Sequence, residues 1–102
     1  MHLVQLFLPL RDDAGRGFGR ALFDEVRATL AERFGGSTAF VRSPAAGLWE
    51  GDDGTLEHDD VVLVEVLVDT LDHGWWRDYR HALERRFRQD AILVRALPAE
   101  TL

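Results

Sequence analysis

Residues 61–68, VVLVEVLV, decide the fold. The stretch contains a single polar side chain, Glu65, and is otherwise valine and leucine. Valine is stiff at its branched Cβ atom and favours extended backbone. A nearly continuous aliphatic run of this length is typical of a strand that is covered on both faces. We therefore predict a central strand here, and other parts of the protein must pack against both of its faces.

Five further elements are predicted around this strand. In chain order they are a strand at 2–10, a helix at 17–34, a strand at 37–43, a helix at 72–90 with Asp72 as its N-cap, and a strand at 91–97. The complete order, strand, helix, strand, strand, helix, strand, is that of the ferredoxin-like arrangement. The sequence therefore predicts one α+β domain over residues 1–102. Its four-stranded antiparallel sheet has the order four-one-three-two and carries both helices on one face.

Composition excludes several classes of function. The formal net charge is −6, and nucleic-acid binding requires a basic footprint. The chain has no cysteine, which removes disulfides and thiolate metal sites. No stretch approaches the ~20 apolar residues of a membrane span, and the N-terminus lacks a basic leader. We therefore expect a cytoplasmic protein without nucleic-acid or membrane partners.

Alternation along the strands sorts their side chains onto two faces of the sheet. An entirely aliphatic set is assigned to the face beneath the helices: Val4, Leu6, Leu8, Ala39, Val41, Val62, Val64, Val66, Val68, Ile92, Val94 and Ala96. The opposite face is rich in leucine and carries four polar residues. If the strand order is correct, these four form a row across the sheet: Arg95, Gln5, Glu65 and Arg42.

The turn between the second and third strands predicts one contact in this row. Asp53-Gly54 is a favourable two-residue reversal. A hairpin centred on it places Arg42 opposite Glu65, and opposite charges are favourable cross-strand neighbours. A bulge near Pro44 would shift this register.

The leucine-rich face predicts a homodimer. Contiguous apolar patches of this size usually mark an interface or a ligand surface. Two sheets packed face to face would enclose the polar row near the middle of the interface. The row is then either an ion-pair network that stabilises the dimer or the lining of a pocket, and the sequence leaves both alternatives open.

The two adjacent tryptophans belong to the second helix. Trp76, Tyr79, Leu83 and Phe87 follow the spacing of a buried helix face, so Trp76 is predicted to lie in the core. Trp75 lies at the edge of that face. It can cap the seam between helix and sheet, contact a partner chain or wall a cavity. The four histidines are scattered without a metal-binding spacing, so no metal site and no cofactor are predicted.

Several short segments resemble a family of small bacterial proteins of unknown function with a ferredoxin-like fold. The matching segments are QLFLPL, ERFGGSTAF, GLW at 47–49, Glu57 ahead of the valine-rich strand, and ERRFRQDAILV at 84–94. The resemblance implies the fold and supplies no catalytic residues. The predicted order of strands and helices also resembles that of the dimeric α+β barrel proteins. These include cofactor-free monooxygenases, haem-linked enzymes and small-molecule isomerases.

Two functional hypotheses follow. The first is an accessory homodimer that binds a small apolar or acidic molecule between the sheet and the helices. The second is a cofactor-free monooxygenase or isomerase, with Glu65 or a histidine as the base and Arg42 or Arg95 holding an anionic oxygen. The candidate ligand-binding residues are Gln5, Arg42, Trp49, Glu65, Trp75 and Arg95, and Glu65 is the catalytic candidate.

Overall fold

The computed structural model of the chain describes residues 1–35, 38–43 and 61–102, with 38–43 described for their backbone. The elements are β1 (His2–Pro9), α1 (Arg20–Phe34), β2 (Thr38–Ser43), β3 (Val61–Val68), α2 (His73–Arg86) and β4 (Val94–Pro98). The predicted α+β class, with two helices and an antiparallel sheet, is confirmed.

The sheet is built around the pairing of β1 with β3. The strands lie in the order β2-β3-β1-β4, and each neighbouring pair is antiparallel. β1 lies between β3 and β4, so Gln5 has two Cα partners, Glu65 on one side and Arg95 on the other. Three of the four predicted polar positions therefore lie in one line across the sheet.

The fourth predicted position, Arg42, does not follow this line. Its Cα partner on β3 is Val62, and the Cα partner of Glu65 is Ala39. The predicted pairing of Arg42 with Glu65 is therefore wrong. It assumed that a two-residue turn sets the register, but β2 ends at Ser43 and β3 begins at Val61. A connection of that length does not fix the register in the way that a tight turn does.

The core lies between one sheet face and both helices. The aliphatic set predicted for this face is buried on β1 and β3, together with Ile92. On β2 the assignment is wrong, because Ala39 and Val41 have Glu65 and Leu63 as their Cα partners and therefore share the register of the opposite face. The helices cover it with Phe23, Val26, Leu30, Trp76, Tyr79 and Leu83, and Phe87 adds to the same cluster. Full burial of each large apolar side chain contributes ~1.5 to 3 kcal/mol, so this layer is the main source of stability.

The start of α2 follows its predicted cap. The Asp72 carboxylate accepts a hydrogen bond from the backbone N–H of Trp75 at 3.1 Å, as an N-cap residue does. Helix α1 instead begins at Arg20, three residues later than its predicted start at 17. The preceding loop holds its own hydrogen bonds, since the Asp12 carboxylate accepts from the backbone N–H of Ala14 and of Arg16. The residues that would begin the longer helix are bonded back to the end of β1, since the Phe18 N–H donates to the carbonyl oxygen of Leu10 at 3.0 Å and Gly17 forms an antiparallel bridge with Arg11.

An aromatic cluster joins the end of α1 to the start of α2. The Phe34 ring stacks on Trp76, with centroids 5.3 Å apart and planes 3° apart. Trp75 packs edge-on against Phe34 and stacks on Tyr79 at 4.9 Å. The Arg33 guanidinium lies 4.4 Å above the Trp75 ring. Trp76 is a buried core residue, as predicted, and the half-buried Trp75 caps the seam where the two helices meet.

Tyr79 carries a perturbed pKa within this cluster. Burial of the phenol raises the pKa of Tyr79 from 10.0 to about 12, and nearby Arg86 and Thr29 oppose the rise only in part. Its hydroxyl lacks a well-formed hydrogen bond. The chain has one tyrosine, no cysteine and no lysine.

The first prediction concerns alkaline stability. Because the folded-state pKa of Tyr79 lies above the unfolded value, the contribution of Tyr79 to the free energy of unfolding should be constant below about pH 10. It should fall by about 2 kcal/mol as the pH rises towards 12, since only the unfolded chain ionises freely. Urea unfolding at a series of pH values measures this loss, and tyrosinate absorbance measures the pKa. Tyr79→Phe should abolish the loss; an equal loss in that variant would contradict the assignment.

The second prediction concerns the seam. Trp75→Ala should lower the free energy of unfolding by about 2 kcal/mol, because the ring packs against three aromatic neighbours but is only half-buried. Arg33→Ala should cost about 0.5 to 1 kcal/mol through its cation–π contact. A double-mutant cycle should show positive coupling between the two residues. Simple additivity would mean that the Arg33 contact contributes nothing.

Candidate functional site

The sheet face away from the helices, here called the helix-free face, is defined by Leu3, Gln5, Phe7, Leu63, Glu65, Leu67, Leu93, Arg95 and Leu97. Its polar row is hydrogen-bonded across three strands. Gln5 Nε2 donates to Glu65 Oε2 at 2.9 Å, and Arg95 Nε donates to Gln5 Oε1 at 2.8 Å. The row predicted for these three residues is confirmed. Gln5 links the carboxylate of Glu65 to the guanidinium of Arg95.

Two apolar rows flank the polar one. Leu3 has Leu67 and Leu97 as its Cα partners on the neighbouring strands. On the other side, Phe7 pairs with Leu63 and its backbone N–H donates to the carbonyl oxygen of Leu93 at 3.0 Å. Leu93 and Leu97 are 40% and 41% exposed, which is high for leucine in a folded domain. The Arg95 guanidinium covers part of this surface, with its Cζ atom 5.1 Å from the Phe7 ring centroid.

The predicted site residues are only partly brought together. Gln5, Glu65 and Arg95 adjoin one another on the helix-free face. Trp75 lies on the other side of the sheet, in the aromatic cluster between the helices. The backbone of Arg42 lies on β2, and Trp49 falls outside the described residues. The predicted candidates therefore do not form a single pocket in the described part of the chain.

A cavity lies on the helix side of the sheet, the side on which the first hypothesis placed a small ligand, but its position and lining were not predicted from the sequence. It has a volume of about 160 Å³ and lies where the edge strand β4 passes the start of α2. We call it the edge cavity. Its lining is Val4, Leu71, His73, Trp76, Val94, Arg95 and Ala96. The edge cavity occupies the place where the helix-facing row of the sheet ends in the small side chain of Ala96.

Polar atoms at the edge cavity are few. Trp76 is 7% exposed, and its indole N–H is buried without a hydrogen-bond partner. His73 is exposed, so it lies at the mouth. The Arg95 guanidinium is engaged with Gln5 and Phe7 on the opposite face, so Arg95 contributes other atoms to the lining. The side chain of Trp76 thus lines the cavity and carries a buried donor without an acceptor. A buried donor in this state lowers the stability of the fold by about 1 to 3 kcal/mol.

The sequence predicted the environment of some of these residues, but it did not predict how they are arranged around a cavity. Val4, Val94 and Ala96 were assigned to the helix-covered face and Trp76 to the core, and each assignment is compatible with a filled interior. The one available signal was the small Ala96 at the end of an otherwise large aliphatic row. Neither the position of α2 along β4 nor the resulting gap follows from that pattern.

The described ranges 1–35, 38–43 and 61–102 lack two further kinds of feature, a metal-binding cluster and a membrane-spanning helix. There, no group of three or more histidine, cysteine or acidic side chains is arranged to hold a metal ion. In the same ranges, neither helix has the length and apolar character needed to cross a membrane.

Comparison with known proteins gives a likeness of fold. No protein-family model matches the chain, and no match was found among curated proteins. Among solved structures, the chain is similar to a phage SAM lyase in complex with S-methyl-5'-thioadenosine. The TM-score is 0.56 at 18% sequence identity, and the match covers 94% of this chain and 79% of that one. At this identity the likeness concerns the fold, since one fold serves many functions.

Proposed function

We propose that this chain is an accessory, ferredoxin-like module that binds a small organic molecule in the edge cavity. The order of its elements and strands supports the ferredoxin-like arrangement. The observation that carries the functional proposal is the buried indole N–H of Trp76, which has no partner and belongs to a side chain that lines the cavity. The proposed ligand supplies the missing acceptor.

The size of the edge cavity restricts the ligand. Its volume of about 160 Å³ is close to that of an apolar cavity of ~150 Å³ that binds benzene. Pockets for drug-sized molecules are larger, at ~300 to 1,000 Å³. The proposed ligand therefore places one planar ring in the cavity, and any further part of the molecule lies outside it.

The lining restricts the chemistry of that ring. Val4, Leu71, Val94 and Ala96 provide apolar walls, which favour a ring without charge. Trp76 provides a donor, which favours a ring nitrogen or oxygen that accepts a hydrogen bond. His73 at the mouth is compatible with a polar substituent that remains in water. Together they favour a neutral heteroaromatic ring.

The phage lyase structure suggests a probe of this class. That protein holds S-methyl-5'-thioadenosine, whose adenine is a planar ring system with acceptor nitrogens. The complete nucleoside exceeds the volume of the edge cavity. We therefore propose recognition of the ring portion alone, and adenine is a reasonable member of a test series.

The alternative is a cofactor-free enzyme with Glu65 as its base. Glu65 lies on the helix-free face and accepts a hydrogen bond from Gln5, so the sheet separates it from the edge cavity. A reaction at Glu65 would therefore take place on the other side of the molecule from the proposed ligand. Glu65→Gln distinguishes the two hypotheses, because it should leave ring binding unchanged and would abolish turnover by a base at Glu65.

The third prediction tests the proposed site with matched rings. Benzene and pyridine have nearly the same size, but only pyridine has an acceptor nitrogen. In ¹⁵N-labelled protein, both should shift the indole N–H resonance of Trp76 on titration, and pyridine should shift it further. Trp76→Phe should lower the ratio of pyridine affinity to benzene affinity severalfold, since one net hydrogen bond contributes about 0.5 to 1.5 kcal/mol. Adenine and S-methyl-5'-thioadenosine extend the series.

A blocking variant provides the control. Ala96→Phe should fill the edge cavity and abolish binding of every ring, because Ala96 is an exposed edge residue that can carry a larger side chain. Ala28→Phe places the same side chain at an exposed position of α1 and should leave binding unchanged. If no ring shifts the Trp76 resonance in the unmodified protein, or if both phenylalanine variants bind alike, the proposed site is wrong.

A further inference from the structure

We infer that a second copy of this chain covers the helix-free face. Its twofold axis runs parallel to β1, so that Arg95 of each protomer meets the partner's Glu65. This inference concerns the opposite side of the sheet from the edge cavity and does not depend on ligand binding.

The first observation is an apolar surface that the described elements leave open. Both helices pack on the other face of the sheet. The helix-free face presents two apolar rows, Leu97–Leu3–Leu67 and Leu93–Phe7–Leu63, on either side of the polar row. Phe7 is already buried, at 7% exposure, with the Arg95 guanidinium over its ring, so the open part of the surface is formed by the leucines. Interfaces that bury a sheet face have this composition, with an apolar surround that excludes water from a few polar groups.

The second observation is the order of charge within the polar row. Arg95 on β4 is positive, Gln5 on β1 is neutral and Glu65 on β3 is negative, so the charge reverses sign across β1. Among the described residues, neither Arg95 nor Glu65 forms an ion pair within the chain. Arg95 uses its Nε in the bond to Gln5, which leaves the terminal guanidinium nitrogens as donors for another acceptor.

A twofold dimer of facing sheets has its axis in the plane of the interface, and the direction of this axis decides which charges meet. With the axis across the strands, Arg95 faces the partner's Arg95 and the two glutamates face each other. With the axis along β1, Gln5 faces the partner's Gln5, and each Arg95 faces the partner's Glu65. The sign reversal across β1 therefore selects the second arrangement, since like charges in a desolvated interface are unfavourable.

The dimensions of packed sheets permit these contacts. Facing sheets lie ~10 Å apart, and arginine and glutamate side chains from opposite sides together span that gap. The same axis places Leu97 against the partner's Leu67 and Leu93 against the partner's Leu63. Each protomer thus offers a large aliphatic side chain opposite another, and both charged pairs are enclosed between the two apolar rows.

The fourth prediction uses charge reversal. Sedimentation equilibrium over a concentration series should show the unmodified chain as a dimer. Glu65→Arg and Arg95→Glu should each weaken the dimer by roughly tenfold or more, because each creates two like-charge contacts across the interface. The double variant Glu65→Arg/Arg95→Glu reverses the row and should recover the affinity to within roughly threefold of the original. Circular dichroism verifies that each variant is folded.

Matched controls come from an ion pair on α1. Asp24→Arg and Arg20→Glu change the net charge of the chain by the same amounts as Glu65→Arg and Arg95→Glu. They lie at exposed positions, with side chains 56% and 93% accessible, so neither should alter the dimer. A monomeric unmodified chain would overturn the inference. So would single reversals that behave like these controls, or a double variant no better than the singles.

Neutral substitutions keep the test decisive if a reversal prevents folding. Glu65→Gln and Arg95→Gln remove one charge each without creating repulsion, and each should weaken the dimer less than the corresponding reversal. An unchanged dissociation constant in both would contradict the pairing of Arg95 with the partner's Glu65. Ring binding in the edge cavity, measured on the two Glu65 variants, should be unaffected, because Glu65 does not line that cavity. Failure of the dimer and failure of the ligand site are therefore distinguishable.

Discussion

The structure depends on the antiparallel ladder between β1 and β3 and on the aliphatic layer that this ladder presents to the helices. The register runs from His2 opposite Val68 to Pro9 opposite Val61, without interruption. Because side chains alternate across a strand, this one register places valines and leucines beneath the helices and sends Gln5 and Glu65 to the other side. A slip of one residue would bury both polar groups in the core, where each would cost free energy without a partner. The burial of the aliphatic layer therefore specifies the polar row as well.

The sheet separates two surfaces with different physical chemistry. On the helix side, the aromatic cluster of Phe34, Trp75, Trp76 and Tyr79 closes the seam between α1 and α2, and the edge cavity remains where α2 begins. On the helix-free face, a hydrogen-bonded polar row lies between two leucine-rich rows. The proposed ligand site and the proposed dimer interface thus lie on opposite faces of the sheet. Arg95 is the residue that belongs to both.

Much of the fold could be predicted because it rests on local signals. Apolar runs identified β1 and β3, a hydrophobic period of 3.6 residues identified both helices, and Asp72 marked the start of α2. The same reasoning failed at β2, where Arg42 pairs with Val62 rather than with Glu65. It also placed the start of α1 too early, because Gly17 and Phe18 are bonded back to Arg11 and Leu10 at the end of β1. Both errors concern a long or irregular connection, where the local pattern does not determine the geometry.

By itself, the sequence determined the order of the elements, the aliphatic face that β1 and β3 present to the helices, the burial of Trp76 and the alignment of Gln5, Glu65 and Arg95. These follow from the period of side chains along a strand or helix, which is a local property of the backbone. Only the tertiary structure decided where Trp75 packs, that the indole N–H of Trp76 lacks an acceptor, and that a cavity opens beside Ala96. Those features depend on how far α2 extends over the sheet edge. That distance is set by the packing of many side chains at once, and no single stretch of the sequence encodes it.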